Sequence, residues 1–430
     1  MIEIASTDAA LLAALEREGP INLPRAIEVM ERWGLDGLVL GQPVNVFHAL
    51  GHWPAIARTR QGQPPGVFAL LARVRPGEWG LVTTRFLYYY IWADGRSRRD
   101  VQPWLYGELG DAGDVSPAPA FPLCADAGLA PLSGLETHRR GELDRVSPDH
   151  SAFRDAGSAL VSAMKGMGLW SGRIGYDDPV IAAVMARREH PGEAVPADNA
   201  VREIRLIKSP LEQKLMARAA EANAQALLAT AHAVRAGARH CDLQAQFRTE
   251  AALRGNTSVF LNVDRVSSDL SREKLYDGQA LFLDGVSHFL HYHGDFARTV
   301  FIGEPRKSAR RAAEASGLAW QAIRESLRPG LRFSEIVEIG QKAVRSAGYE
   351  TAIGFGPHSC GLAHTDEPGE DHGGFWRKPD LMLEEGMVLS VDCPVLDTGI
   401  GGSAHCEDLM LVTRDGAQCI HSEHETVIAV

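Results

Sequence analysis

Asp284 and Asp295 stand either side of ten residues in the segment LFLDGVSHFLHYHGDFARTVFIG. The first closes the apolar run ALFLD, and the second opens another extended run, DFARTVFI. Two strands joined by a turn would bring both carboxylates to one point. Downstream stand His358 in FGPHSCGLAHTDEP, Asp392 in GMVLSVDCP and Glu407 in GGSAHCEDLMLVT. Taken singly, an aspartate at a strand end is a turn former or cap, and a lone histidine is a hydrogen-bonded residue. Taken together, four carboxylates and one imidazole at the ends of apolar runs suit a pair of borderline divalent cations.

Positioning such a set requires a large scaffold. The chain has 430 residues, more than one core comfortably fills, so two domains are expected, 1–200 and 201–430. Hydrophobic content of 45% with 23% charged residues is that of a soluble globular protein. A formal net charge of -11 argues against nucleic acid as a partner, because phosphate backbones need basic stripes. Neither a transmembrane span nor a secretory signal is expected: apolar runs are short, and the N-terminus lacks a basic region followed by an apolar core. Six cysteines scattered over this length make no disulfide framework, and a reducing cytoplasm fits best.

The first half reads as an α/β domain. RAIEVMERWG has helical spacing and ends at a glycine. LDGLVLG, GVFALLARV, GLVTT and RIGYDD read as strands, and DAGDVSPAPAFPLCADAG as a loop. The second half opens on a capped helix, with Ser209 as N-cap, Pro210 at the first turn and Glu212 closing a capping box. Leu211, Leu215, Ala219, Ala222 and Ala226 keep one face of that helix small and apolar. An internal repeat follows: Gly237, Arg239 and Gly255 recur as Gly330, Arg332 and Gly348 in the same register. Each copy reads as helix, glycine turn, helix, glycine, strands. Asp284 and Asp295 fall in the first copy; His358, Asp392 and Glu407 fall in the second. The expectation is a curved antiparallel sheet with four helices on its outer face and a metal centre between the copies.

The five motifs in this order resemble the pita-bread metallopeptidase family, which includes methionine aminopeptidase, aminopeptidase P, prolidase and the metal-free creatinase. GLDGLVLGQPVNVFHALGHW resembles the opening of the N-terminal domain of the aminopeptidase P, prolidase and creatinase branch. The resemblance implies an α+β chain: a C-terminal pita-bread catalytic domain of duplicated αα-β units behind a smaller creatinase-like α/β domain. It implies that Asp284 chelates one metal, that Asp295 and Glu407 bridge, and that His358 and Asp392 complete the ligand set of the other metal. One or two ions of Mn, Co, Zn or Fe would activate a water toward a scissile carbonyl. A homodimer and a small peptide or amide substrate follow by the same analogy. Arg205, Lys208, Ser209 and Glu212 match the family's spacing, and as residues they read as a well-capped helix and no more.

The chain also departs from the pattern. Asp392 stands where the family has glutamate, one methylene longer and engaged in proton handling, so both the metal shell and catalysis are touched. His364 resembles the second histidine, which polarises the substrate carbonyl, but follows His358 one residue early. His405 replaces an arginine, and the family's substrate histidine upstream of Asp284 has no counterpart. His364, Asp392 and His405 are therefore the candidate catalytic residues. His288, His291 and His293 read as lying outside the ligand set, with His293 a candidate to support Asp295. Strand alternation turns Cys393 and Cys406 away from their neighbours Asp392 and Glu407, so these thiols read as packing. No GxSxG, P-loop or dinucleotide fingerprint is present. The reading is a cytoplasmic metallohydrolase similar to Xaa-Pro peptidases. Its alternatives are a lyase or a hydrolase of a small C–N compound on the same fold, and a metal-free binding protein.

Overall fold

A computed structural model describes residues 2–54, 65–93, 98, 100–107, 131–148, 152–369, 375–399 and 401–430. The Pro- and Ala-rich stretch 111–128 lies outside the described residues. Two compact units divide the chain, Met1–Ile204 and Arg205–Val430.

The first unit is built on strands β1 (Gly37–Leu40), β2 (Phe68–Ala72), β3 (Trp79–Thr84), β4 (Val101–Tyr106), β5 (Arg173–Tyr176) and β6 (Glu193–Pro196). They form one mixed sheet in the order β4-β3-β2-β1-β5-β6. Successive residues feed opposite faces, as the period of two requires. Leu38, Leu40, Ala69, Leu71 and Leu81 join one core with the helix residues Val29, Met30, Val46 and Leu50. Val39, Phe68, Leu70 and Val82 join the other core with Leu160, Met164, Ile181 and Met185. A sheet covered on both faces explains why LDGLVLG and GVFALLARV read as continuous apolar runs.

The second unit carries the duplication. Its first copy holds helices α1 (Pro210–Ala231) and α2 (His240–Leu253), then strands β7 (Thr257–Val263), β8 (Ala280–Phe289) and β9 (Tyr292–Phe301). The second copy holds α3 (Lys307–Ser326) and α4 (Phe333–Ser346), then β10 (Gly356–Ser359), β11 (Val388–Asp392), β12 (Met410–Thr413), β13 (Gly416–Cys419) and β14 (Val427–Ala429). The repeated glycines take matching left-handed backbones, φ 83° and 87° at Gly237 and Gly330, 78° and 76° at Gly255 and Gly348. Arg239 and Arg332 occupy equivalent N-cap positions at the start of each second helix. The Ser209–Glu212 capping box forms as the sequence indicated.

One continuous sheet is not what forms. Two four-stranded sheets form instead, β14-β9-β8-β7 and β10-β11-β12-β13. They meet through an isolated bridge between Ala297 and Glu407, and β14 crosses back to pair in parallel with β9. Leu281, Leu283, Phe296 and Val300 pack beneath α1 and α2. Leu389, Val391, Met410 and Val412 pack beneath α3 and α4. The intervening strand residues face the other way, toward the interval between the copies.

At Gly237 and Gly330 an added methyl would meet nothing within 4 Å, so only backbone strain is at stake. Replacement by alanine at either is expected to destabilise by about 1–2 kcal/mol. Urea unfolding should show a lower midpoint at unchanged slope; an unchanged midpoint would mean that the turn relaxes.

Candidate metal centre

Strand alternation and pairing register bring the site together. Asp284 on β8 lies opposite Ala297, and Asp295 on β9 lies opposite Val286. Their parity puts both carboxylates on the face away from α1 and α2. On the second sheet His358 pairs with Ser390 across β10 and β11, and cross-strand partners share a face. Asp392 continues that face two residues on. Glu407 enters through its bridge to Ala297, with N–H to carbonyl distances of 3.2 and 3.4 Å.

The five side chains converge. His358 Nε2 lies 3.5 Å from Asp295 Oδ2, 3.6 Å from Asp392 Oδ2 and 3.8 Å from Glu407 Oε1. Ligand atoms of Asp284, Asp295 and Glu407 form a second group, all within 4.8 Å of one another. The His358 separations are too long for hydrogen bonds. They approach the roughly 3.4 Å edge that donors about 2.1 Å from one ion would show in a tetrahedron. Asp295 Oδ1 and His358 Nε2 are buried and lack any hydrogen-bond partner. Buried polar atoms left unpaired are costly, and a cation would satisfy both. The donor set fits a divalent metal.

Electrostatics point the same way. Desolvation, then repulsion from Glu407 and Asp295, pushes the Asp284 carboxyl up to about 8. Burial and Glu407 also raise Asp295. Burial opposes ionisation of Glu407 too, yet His358 and His405 outweigh it and hold that carboxyl well below its usual range. Burial works against a charge on His405, but contacts with Asp392 and Glu407 lift it to about 10. Without a cation, protons take the place of positive charge in this cluster.

Both other candidate residues reach the centre. His364 Nε2 lies 3.1 Å from Asp295 Oδ2, and Phe260 packs edge-on against its ring. His405 Nε2 lies 3.2 Å from Glu407 Oε2 and 3.4 Å from Asp392 Oδ1. The side chains of His364 and Asp392 are each 35% exposed, and those of Asp295, His358, His405 and Glu407 are buried. Asp392 and His364 therefore stand toward an open side of the centre, and Asp284 is also only half-buried.

Several supporting contacts escaped the sequence. Ser390 Oγ donates to Glu407 Oε1, and Asn262 donates to Asp284 Oδ2 at 2.8 Å. Cys360 Sγ lies 3.5 Å from His358 Nδ1. His293 does not support Asp295; its Nδ1 meets the carbonyl of Gly361 at 3.1 Å. Cys393 and Cys406 lie in the core under α3 and α4, as alternation required.

The reading of Arg205 to Glu212 as a cap alone needs correction. The buried Arg205 guanidinium donates to Asp366 Oδ1 at 2.6 and 2.9 Å, and Asp366 Oδ2 accepts the Leu362 N–H at 3.0 Å. That pair holds the turn carrying His364. Glu212 Oε2 accepts the Ser209 N–H at 2.8 Å, while its Oε1 accepts the Tyr292 hydroxyl at 3.1 Å. The capping carboxylate thereby fastens β9 three residues from Asp295. Local spacing carries no sign of partners so distant in the chain.

A second acid–imidazole group, Asp408, Cys419 and His421, is committed elsewhere. Asp408 accepts from Arg298 at 2.6 Å and from Trp320 Nε1 at 2.8 Å.

Comparison with known proteins follows the same lines. Residues 214–414 match the model of metallopeptidase family M24. The Xaa-Pro dipeptidase of Pyrococcus horikoshii is 23% identical over 232 residues, 51% of this chain and 64% of that protein. The chain thus spans less than two thirds of that relative's length. Among solved structures, an Xaa-Pro dipeptidase from Bacillus anthracis matches with a TM-score of 0.68 at 17% identity, covering 95% of this chain and 99% of that one. The prolidase from Pyrococcus furiosus matches with a TM-score of 0.62 at 17% identity, covering 93% and 100%. The fold is α+β, a pita-bread unit with an N-terminal α/β unit. Among the described residues no helix is long and apolar enough to cross a membrane.

Because Asp284 holds its proton below about pH 8, a cation that takes the ionised carboxylate must expel it. Affinity for Co(II) is therefore expected to rise by up to about tenfold per pH unit between about pH 6 and 8, then level. Calorimetric titration measures it, and a flat affinity over that interval contradicts the assignment of Asp284.

Proposed function

We propose that this chain, whose residues 214–414 belong to metallopeptidase family M24, is a metal-dependent hydrolase that cleaves a small peptide of the Xaa-Pro type. One observation carries the reading: acidic and imidazole donors from both copies meet around buried atoms that have no hydrogen-bond partner. The names of the matched relatives, Xaa-Pro dipeptidase and prolidase, supply the substrate class.

In this proposal Asp284, Asp295 and Glu407 would hold one cation, and His358 and Asp392 with Asp295 and Glu407 would hold a second where two bind. Mn, Co, Zn or Fe would supply Lewis acidity and a water of lowered pKa. The chain's own groups do the rest. His364, on the open side and hydrogen-bonded to Asp295, is placed to steady a substrate carbonyl. Asp392, the exposed carboxylate of the group it forms with His358 and Glu407, would accept and return a proton. The proposal extends to a cytoplasmic homodimer; the absence of disulfides at Cys241, Cys360, Cys393, Cys406 and Cys419 supports a reducing compartment.

A second reading, a lyase or a hydrolase of a small C–N compound on the same scaffold, is favoured by Asp392 and His405 standing at positions where the family pattern has other residues. Turnover of Xaa-Pro dipeptides and longer peptides with each of the four metals separates the two. Hydrolysis of an Xaa-Pro bond by one metal-loaded form is expected, and inertness toward every peptide would favour the second reading. Asp295→Asn should lower turnover by at least about 100-fold while leaving the circular dichroism spectrum intact. Near-normal turnover in that variant would remove Asp295 from the centre.

A further inference from the structure

Asp284 stands half-buried, with Asp295 and Glu407 so near that ligand atoms of all three lie within 4.8 Å of one another. Crowded acids repel, and the one with access to water is the one free to turn away. Among the described residues a single hydrogen-bond donor reaches its side chain. Asn262 Nδ2 donates to Asp284 Oδ2 at 2.8 Å.

The strand that carries this amide is firmly mounted. β7 is the edge strand of its sheet, yet Leu261 and Val263 are buried in the core beneath α1 and α2. Gln244 on α2 donates from Nε2 to the carbonyls of Leu261 and Val266, each at 3.3 Å. The turn after β7 holds two consecutive non-glycine residues with left-handed backbones, Asp264 at φ 48° and Arg265 at φ 72°. Such backbone is costly and persists where its surroundings fix it. Here the Asp264 carboxylate accepts from Gln279 Nε2 at 2.9 Å and from Ser403 Oγ at 2.6 Å. A bulge between Ser258 and Phe260 then sets the register, with Asn262 opposite Asp284 and Phe260 opposite Val286. Cross-strand partners share a face. Alternate residues of β7 therefore meet the centre, Phe260 against the His364 ring and Asn262 against Asp284.

We infer that Asn262 is the positioning residue of Asp284: its amide holds one carboxylate oxygen in place and keeps the group turned toward Asp295 and Glu407. A ligating carboxylate is commonly steadied by such a hydrogen bond. The amide is neutral, so it orients the acid without cancelling charge that a cation would use. Its bond reaches Asp284, which belongs to one donor group, and not His358 or Asp392, which belong to the other. Asn262 therefore acts on one cation position. The inference rests on the metal-centre reading above.

Co(II) titration of the full-length protein tests it, with calorimetry giving affinity and stoichiometry and the visible Co(II) spectrum as a second readout. Asn262→Leu, which fills similar space without an N–H, is expected to weaken one Co(II) equivalent by about 10–100-fold. Any second equivalent should stay within about threefold of wild type. Asn262→Gln, which keeps an amide N–H, is expected to bind more tightly than the leucine variant and to retain the wild-type bands. A leucine variant that binds every equivalent as wild type does overturns the inference. Equal weakening of two equivalents also overturns it, because that marks a loosened strand. A glutamine variant as weak as the leucine variant shows that the donor is not what matters, and the inference fails. Melting curves without metal identify misfolding; should the leucine variant misfold, Asn262→Ala takes its place in each comparison. Wild-type protein that binds no Co(II) would instead overturn the metal-centre reading, and this inference with it.

Discussion

Arg298 ties the two copies of the duplicated unit together, and the centre depends on that tie. Its guanidinium is buried, where an uncompensated charge would cost several kcal/mol. Every donor has an acceptor: Nε reaches Glu425 O, Nη1 reaches Ala297 O and Glu407 O, and Nη2 reaches Asp408 Oδ1 and His424 O. The Phe296 ring lies 4.0 Å from the charge. The strand from the first copy and the segment bearing Glu407 from the second are therefore clamped at one point. Asp408, its pKa held down by Arg298 against the effect of burial, belongs to this clamp. Neighbouring acids in sequence thus divide the work, Glu407 turned to the centre and Asp408 turned to the arginine.

The clamp forces like charges together. Asp284, Asp295 and Glu407 are drawn into one group, with two of the three raised in pKa by desolvation and mutual repulsion. The folded-state value of Asp284 near 8 stands far above that of an unfolded aspartate, about 3.9. Below the lower value its proton contributes fully to stability; that contribution is lost as pH rises through the higher one. A cation removes the conflict, and by linkage stabilises the fold by about 2.7 kcal/mol at a concentration one hundred times its dissociation constant. Buried atoms without partners and crowded carboxylates are two consequences of one arrangement shaped around positive charge.

Much of this was legible in the sequence, and the reason is local. The hairpin between Asp284 and Asp295, the capping box at Ser209 and Glu212, and the glycine turns at matched positions each follow from residues a few places apart. Alternation along a strand sufficed to turn Cys393 and Cys406 into the core. What could not be read spans the chain: Arg205 with Asp366, Glu212 with Tyr292, Asp284 with Asn262, Ser390 with Glu407. Each is a contact between elements whose packing must be known first, and the types involved are common surface residues elsewhere. The division into two sheets was hidden for the same reason, since the Ala297–Glu407 bridge is a single pair outside any strand pattern.

Asp392 and His405 looked in sequence like two unrelated departures, a carboxylate too short and an arginine lost. In space they are neighbours, 3.4 Å apart, and both stand beside Glu407. A shorter acid on the end of a strand sweeps less space and leaves more exposed solvent around it; the backbone of His405 beside it is held by Thr299. An arginine at residue 405 would bring a longer, forked cation into a space that Phe282 and the Cys393 backbone already bound.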